Sequence, residues 1–566
     1  MLVILLMEVL IKNGVLIDGT GNPWFKADVG IEGEKVVEIG DLKNSDAETI
    51  IDAKGLIVAP GFIELHSHSD YLFLAEPLAE IKLMQGVTTD VSGNCGLSSA
   101  PIGDRWIVFP PSPRRREGFK VVSLERAKEI AKGWGMDMDW FTFGEYLERL
   151  ENNGIAINHC SLIGHFALRA TVTGDVKQKR VKDEELEEMK ALLAQGMEEG
   201  AFGFSTEHGM HVGVRFEEDE IIELCKVAAK YGGVFSDDIG DFGANFLGSV
   251  NQAIKTCETT GIPTIIAHLL VMGKENWGKV ETALRMVEEA RANGLQVVCD
   301  MMPTASSGRA RDMETLLPRW ALKGGTKKII ERLKDPDTRG KIKEEMKKGI
   351  SNRWFKRKRY PLTADPFWTD TIHVVYCGKS KMYEGKTISE ISRIMGVDPY
   401  DVILNLLADE EGQVKWFQQW INDEELCKIM KHPTIIGFGG DGTVGAKRLK
   451  SEWKDDPLHY GAIPRLLGRY VRDKKVLTLE DAIRKLSSAP AQFLGLKDRG
   501  LLREGMYADV VIFDSNRIAD KTTPYEIPSK PTEGIEYVLV NGKIVIDRGV
   551  HTKLLPGKIL RHDVKT

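Results

Sequence analysis

Three features of the sequence predict an α/β chain: a (β/α)8 TIM-type barrel, a small β-sandwich formed by both chain termini, and an insertion between strands 7 and 8. Eight short apolar runs alternate with amphipathic stretches through the centre, the pattern of parallel strands joined by crossover helices. Both ends instead carry brief β-like runs separated by glycine and Asp/Asn-Gly turns. One gap between apolar runs is far longer than the rest, and that gap marks the insertion.

From the N-terminus, Glu8–Ile17, Ala27–Ile31, Lys35–Ile39 and Thr49–Val58 read as strands, with turns at Gly14, Asp18-Gly19, Gly33 and Asp52-Ala53-Lys54-Gly55. The eight barrel strands fall at Phe62–His66, Thr88–Asn94, Ile155–Gly164, Ala201–Ser205, Val234–Asp237, Thr264–His268, Gln296–Asp300 and Thr434–Gly440. Helices such as Asp183–Glu199 and Val280–Asn293 lie between them. The C-terminal strands are Asp509–Phe513, Tyr537–Val540 and Lys543–Ile546, the last two joined by Asn541-Gly542 as a hairpin turn. This divides the chain at 1–60 and 491–566 (sandwich) and 61–490 (barrel, with the insertion at about 303–410). The basic run Lys356-Arg357-Lys358-Arg359, beside Trp354 and Phe355 in the insertion, reads as a solvated face.

Composition narrows the function. The 566 residues carry a net charge of −6 at pI 6.1, which argues against a dedicated nucleic-acid binder. No apolar stretch approaches the roughly 20 residues that span a bilayer, and Met1–Met7 lacks a basic n-region. Seven cysteines without a CxxC pair indicate a reduced, cytoplasmic chain. The composition leaves the oligomeric state open.

The chemistry concentrates in Pro60-Gly61-Phe62-Ile63-Glu64-Leu65-His66-Ser67-His68-Ser69-Asp70. Residues i and i+2 of an extended chain share a face, so His66 and His68 can reach one metal ion together. Ordinary loop histidines are the competing reading. Cys95, Asp238, His268 and Asp441 each follow or end a predicted strand, at the barrel end where such enzymes place their active sites. Gly437-Phe438-Gly439-Gly440-Asp441-Gly442 formally matches GxGxxG, but it opens no helix and Asp441 would repel a phosphate.

Taken together, the sequence resembles the amidohydrolase superfamily, and within it the N-acyl-D-amino-acid deacylase (D-aminoacylase) group. The likeness runs from Ile11-Lys12-Asn13-Gly14 through the His66/His68 segment, Gln85-Gly86-Val87-Thr88-Thr89, Gly93-Asn94-Cys95-Gly96, Gly164-His165, Val271-Met272-Gly273-Lys274 and Asp441-Gly442 to Val540-Asn541-Gly542. The resemblance implies one or two zinc ions, with His66 and His68 at one position and His268 at the other. Cys95 would be the thiolate ligand where related hydrolases use a carboxylated lysine. Asp441 would be both a metal ligand and the general base.

The departures are specific. The zinc histidine expected after strand five falls on Asp238, its neighbouring arginine on Gly240 and glutamate on Phe242. Two cations expected to hold a substrate carboxylate fall on Leu270 and Leu458. Asp238 is therefore a candidate ligand, and Arg309, with Arg311 beside it, a candidate replacement cation. His165, His208 and His211 are candidates for substrate contact. The expected activity is hydrolysis of a small-molecule linear N-acyl amide. A cyclic-amide hydrolase of the dihydroorotase or hydantoinase kind, and a catalytically impaired binding homologue, are the alternatives.

Overall fold

The structure is a computed structural model. It describes every residue except 1–6, 105, 110–119, 209–215, 305–310, 348–365, 420, 441, 443–456, 522–531 and 564–566. The fold is α/β. Its central strands are β1 (Phe62–Glu64), β2 (Val87–Ser92), β3 (Asn158–Ser161), β4 (Gly203–Glu207), β5 (Val234–Asp238), β6 (Thr264–Ile266), β7 (Val297–Met301) and β8 (Ile435–Phe438). β3, β2 and β1 pair in parallel in one sheet, while Ile163–Gly164 and β4 to β8 pair in parallel in a second. Just past β8, Gly440 N donates to Glu64 Oε1 of β1 at 2.9 Å.

Alternation along these strands sorts their side chains into two cores. Ile63, Val91, Cys160, Val234, Ile265, Val298 and Ile436 form one buried cluster, closed off by Ala489, Ala491 and Leu494 of helix Ser488–Leu494. The alternate positions Phe62, Phe235, Ile266, Val297 and Ile435, with Phe204, pack with the helices in another. Burial on both faces explains the near-continuous apolar runs. The run Ile155–Gly164 is broken at Leu162 rather than continuous. Gly93 presses so close that a Cβ there would meet Leu162 O at 2.1 Å, and Leu162 N turns to donate to Ser92 O.

The two chain ends share a seven-stranded sheet, because Ile57–Pro60 pairs antiparallel with Val510–Phe513. A four-stranded sheet of Lys35–Gly40, Asp28–Glu32, Met7–Lys12 and Ala47–Asp52 packs against it through Val9, Ile11, Val29, Val58, Val510 and Ile512. Asn541 (φ 48°) and Gly542 (φ 77°) make the hairpin turn read from the sequence. Between β7 and β8, Arg311–Asp312, Val414–Gln418 and Ile372–Cys377 form a separate sheet with its own core, including Met313, Ile342, Leu404 and Trp416. The basic run at 356–359 lies outside the described residues. All seven cysteines are free thiols. Among the described residues, no helix is long and apolar enough to cross a membrane.

Candidate active site

Four strand ends converge on one sulfur. Cys95 Sγ lies 3.2 Å from His66 Nε2 and 3.8 Å from His268 Nε2. His268 Nε2 is in turn 3.7 Å from Asp238 Oδ2. Two groups that could hold a metal ion result, His66–His68–Cys95 and Cys95–Asp238–His268, each with donor atoms within 4.8 Å of one another. All five residues are buried except His68, which is half-buried. The donor set fits zinc. Tetrahedral bonds of about 2.0 Å to nitrogen and about 2.3 Å to sulfur put N and S about 3.5 Å apart, and the two observed N–S separations bracket that value.

The local sequence explains how the sulfur is delivered. Cys95 has φ 49° between Gly93 (φ 83°) and Gly96 (φ 74°), a left-handed turn that projects its side chain inward. The Asn94 amide donates to Val91 O at 3.0 Å and Leu65 O at 3.2 Å, while its oxygen accepts from Ser236 Oγ of β5 at 2.8 Å. Ser205 Oγ of β4 receives Gly96 N at 3.0 Å and donates to Gly93 O. The loop is thus pinned by three neighbouring strands. His268 also has positive φ, 33°, and such non-glycine outliers gather where the surrounding structure enforces them.

A second tether joins the His66–His68 segment to the chain after β8. His68 N donates to Gly442 O at 2.8 Å, and Ser67 pairs in a parallel bridge with Gly442. Beneath them the fully buried Lys82 pairs with Glu64, with Asp90 at 3.3 Å and with Ser67 Oγ at 3.4 Å. Burial opposes its charge, but the two carboxylates outweigh that and hold its pKa above the ordinary lysine value. Burial pushes Asp90 up to about 6 against the pull of Lys82. Asp441 itself lies outside the described residues, as do Arg309 and His211.

His208, after β4, bonds through Nε2 to Asp237 Oδ1 at 2.7 Å, with Gln252 3.4 Å from Nδ1. Burial disfavours the imidazolium, yet Asp237 prevails and raises its pKa above the ordinary histidine value. A Cβ at Gly240 would sit 3.2 Å from His208 Cβ, so His208 occupies the space a side chain at 240 would enter. Phe242 lies over His268, ring centroids 5.3 Å apart, and Leu270 is buried. His165 is wholly buried, with Nε2 2.7 Å from Glu220 and Nδ1 3.0 Å from Thr206 Oγ1. Arg169 clamps the same Glu220. The structure therefore gathers His66, His68, Cys95, Asp238 and His268, sets His208 beside them, and ties both nitrogens of His165 into a buried network. Sequence reasoning assigned no role to Asn94, Lys82 or Asp300; Asn94 and Asp300 left a trace only as the polar ends of apolar runs.

The amidohydrolase family profile matches residues 49–297 and 375–546. An N-acyl-D-glutamate deacylase of Alcaligenes xylosoxydans xylosoxydans is 31% identical, covering 98% of this chain and 97% of its own. The crystal structure of N-acyl-D-glutamate deacylase from Bordetella bronchiseptica, complexed with zinc and a phosphonate mimic of the tetrahedral intermediate, superposes with TM-score 0.71. It is 27% identical over 98% of this chain and 100% of its own. A D-aminoacylase structure described by its binuclear metal centre gives TM-score 0.72 at 27% identity, with the same coverage. An L-hydantoinase from Arthrobacter aurescens shares the fold alone, at 15% identity and TM-score 0.53 over 98% of this chain and 100% of its own. A chain with these relatives, carrying a cluster of side chains that could hold a metal ion, falls in the class of metal-dependent hydrolases. The chain belongs to the amidohydrolase family.

Proposed function

We propose that this chain is a zinc-dependent amidohydrolase that cleaves a linear N-acyl amide. The single observation that carries the reading is the sharing of Cys95 Sγ between the His66/His68 and Asp238/His268 groups, on a chain related along its length to N-acyl-D-amino-acid deacylases. His66, His68 and Cys95 would hold one ion, and Cys95, Asp238 and His268 a second. When bound, zinc supplies a Lewis acid that polarises an amide carbonyl and acidifies water. Asp441, flanked by Gly440 and Gly442 that are tied to Glu64 and His68, would take the proton of the attacking water. It would then return that proton to the leaving nitrogen.

We further infer that β1 to β8 close into a (β/α)8 barrel, since one residue from strand after strand feeds a common inner core. The terminal sheets would form a β-sandwich from residues 1–60 and 491–566. The insertion would run from about 303 to 418, because Val414–Gln418 pairs within it. A cytoplasmic setting is supported by the free cysteines.

The substrate side is more particular. With Leu270 and Leu458 in place of the two expected cations, a free α-carboxylate would lack those charged partners. His208, beside Gly240, would carry positive charge there, and Arg309 and His211 would supplement it. His165 would act from behind, through the buried Glu220 network.

The test is zinc analysis of protein purified without chelator, with a screen of N-acyl-D-amino acids, N-acyl dipeptides and cyclic ureides. Bound zinc with cleavage of an acyl amide supports the reading. Turnover of ureides alone would move the chain to the cyclic-amide class. Absence of bound zinc would leave an impaired binding homologue.

A further inference from the structure

We propose that Asp300 is a positioning residue shared by both ligand groups: its carboxylate selects which nitrogen of His66 faces the cluster and clamps the backbone that presents His268. The inference rests on the zinc reading above. Asp300 is buried near the C-terminal end of β7, between the two groups. One oxygen, Oδ2, lies 3.4 Å from His66 Nδ1. The other, Oδ1, accepts the backbone N–H of His268, and Asp300 O accepts Leu269 N at 2.8 Å.

Each contact has a chemical consequence. A neutral imidazole carries one proton, and a carboxylate beside Nδ1 draws it there. That leaves the Nε2 lone pair directed at the cluster, where Nε2 already stands 3.2 Å from Cys95 Sγ. Partners of this kind fix ring orientation and raise ligand basicity. His268 needs a different service. At φ 33° its backbone is in a region that L residues seldom occupy. Two successive amides, those of His268 and Leu269, are held by the side chain and the carbonyl of one residue. Asp300 thus braces one member of each group, and a single substitution there reaches both.

The first experiment is zinc binding by chelator competition in the wild type and in Asp300→Asn, with melting of the metal-free proteins alongside. Asparagine keeps the volume, and its oxygen can still receive His268 N–H. Its NH2 then points at His66 Nδ1 and favours the tautomer whose Nε2 carries the proton and cannot ligate. The expected result is a fall of about 10–100-fold in zinc affinity for the equivalent held with His66, with the other equivalent and melting of the metal-free variant close to wild type. Wild-type affinity in that equivalent overturns the role at His66. Asp300→Ala, which also removes the acceptor of His268 N–H, should weaken both equivalents, and an unchanged second equivalent there overturns the shared brace. The second experiment needs no variant: nitrogen NMR of the metal-free wild type should find His66 protonated at Nδ1, and protonation at Nε2 overturns the proposal. A wild type that binds no zinc would instead remove the metal reading, and the tautomer measurement would still decide the role of Asp300.

Discussion

His66 Nε2 and Cys95 Sγ, 29 residues apart in sequence, lie 3.2 Å from each other at the ends of the adjacent parallel strands β1 and β2. The same sulfur faces His268 Nε2 at 3.8 Å. Among the described residues Cys95 alone is common to both candidate ligand groups, and its removal should be more damaging than removal of any histidine. Cys95→Ala should lower zinc affinity by about 100-fold or more and abolish turnover, with the far-UV spectrum unchanged. His68→Ala should weaken one equivalent and spare the other. Chelator competition measures both, and equal losses in the two variants would contradict the shared sulfur.

Lys82 links β1 to β2 beneath that pair. Lys82→Met would leave the buried Glu64 and Asp90 carboxylates without their cation, which costs about 3–5 kcal/mol in such settings. Neutralising the cluster as a unit, with Glu64→Gln and Asp90→Asn added, should recover most of that loss. Urea unfolding of the single and triple variants reads the difference. A single variant as stable as wild type would mean that Lys82 carries no electrostatic role.

The β strands were legible because alternation with helices and burial on both faces leave a strong local trace. The eight apolar runs coincide with β1 to β8 to within a few residues at either end. His66 with His68, and Cys95 in its Gly93–Gly96 setting, were legible because spacing and glycine content are local too. What escaped is long-range. Asn94 reaches Ser236 across 142 residues, and Asp300 reaches His66 across 234. A lone buried Asn or Asp carries no sequence pattern that names its partner. The replacement at Gly240 was visible as a lost cation, whereas its steric partner His208 emerged only when β4 and β5 were side by side.

That pairing can be tested by a double-mutant cycle. Gly240→Arg drives a side chain into the space of His208, whose Cβ lies 3.2 Å from the new Cβ position. Overpacking of this kind costs about 1–3 kcal/mol. His208→Ala alone also destabilises, by leaving Asp237 without its 2.7 Å partner. Combined, the two changes should be less harmful than their sum, because each makes room or charge for the other. Strict additivity in urea unfolding would show that the positions do not compete for space.

The Glu220 network gives a pH dependence of defined sign. Burial works against the Glu220 carboxylate, but His165 and Arg169 outweigh it and bring its pKa from 4.5 down to about 2. His165 meanwhile stays neutral at ordinary pH, because burial lowers its own pKa despite Glu220. A carboxylate depressed in the folded state stabilises fully above its unfolded pKa, and that contribution disappears as pH falls through the folded value. The window is thus from about pH 4.5 down to about pH 2, and the contribution at neutral pH is about 3 kcal/mol. Glu220→Gln should be less stable than wild type by that order at pH 7, since the buried Arg169 loses its counter-charge. The gap should narrow steadily below pH 4.5, as the wild-type carboxylate takes up its proton. Urea unfolding at a series of pH values measures it, and a gap that stays constant down to pH 2.5 would rule out Glu220 as the titrating group.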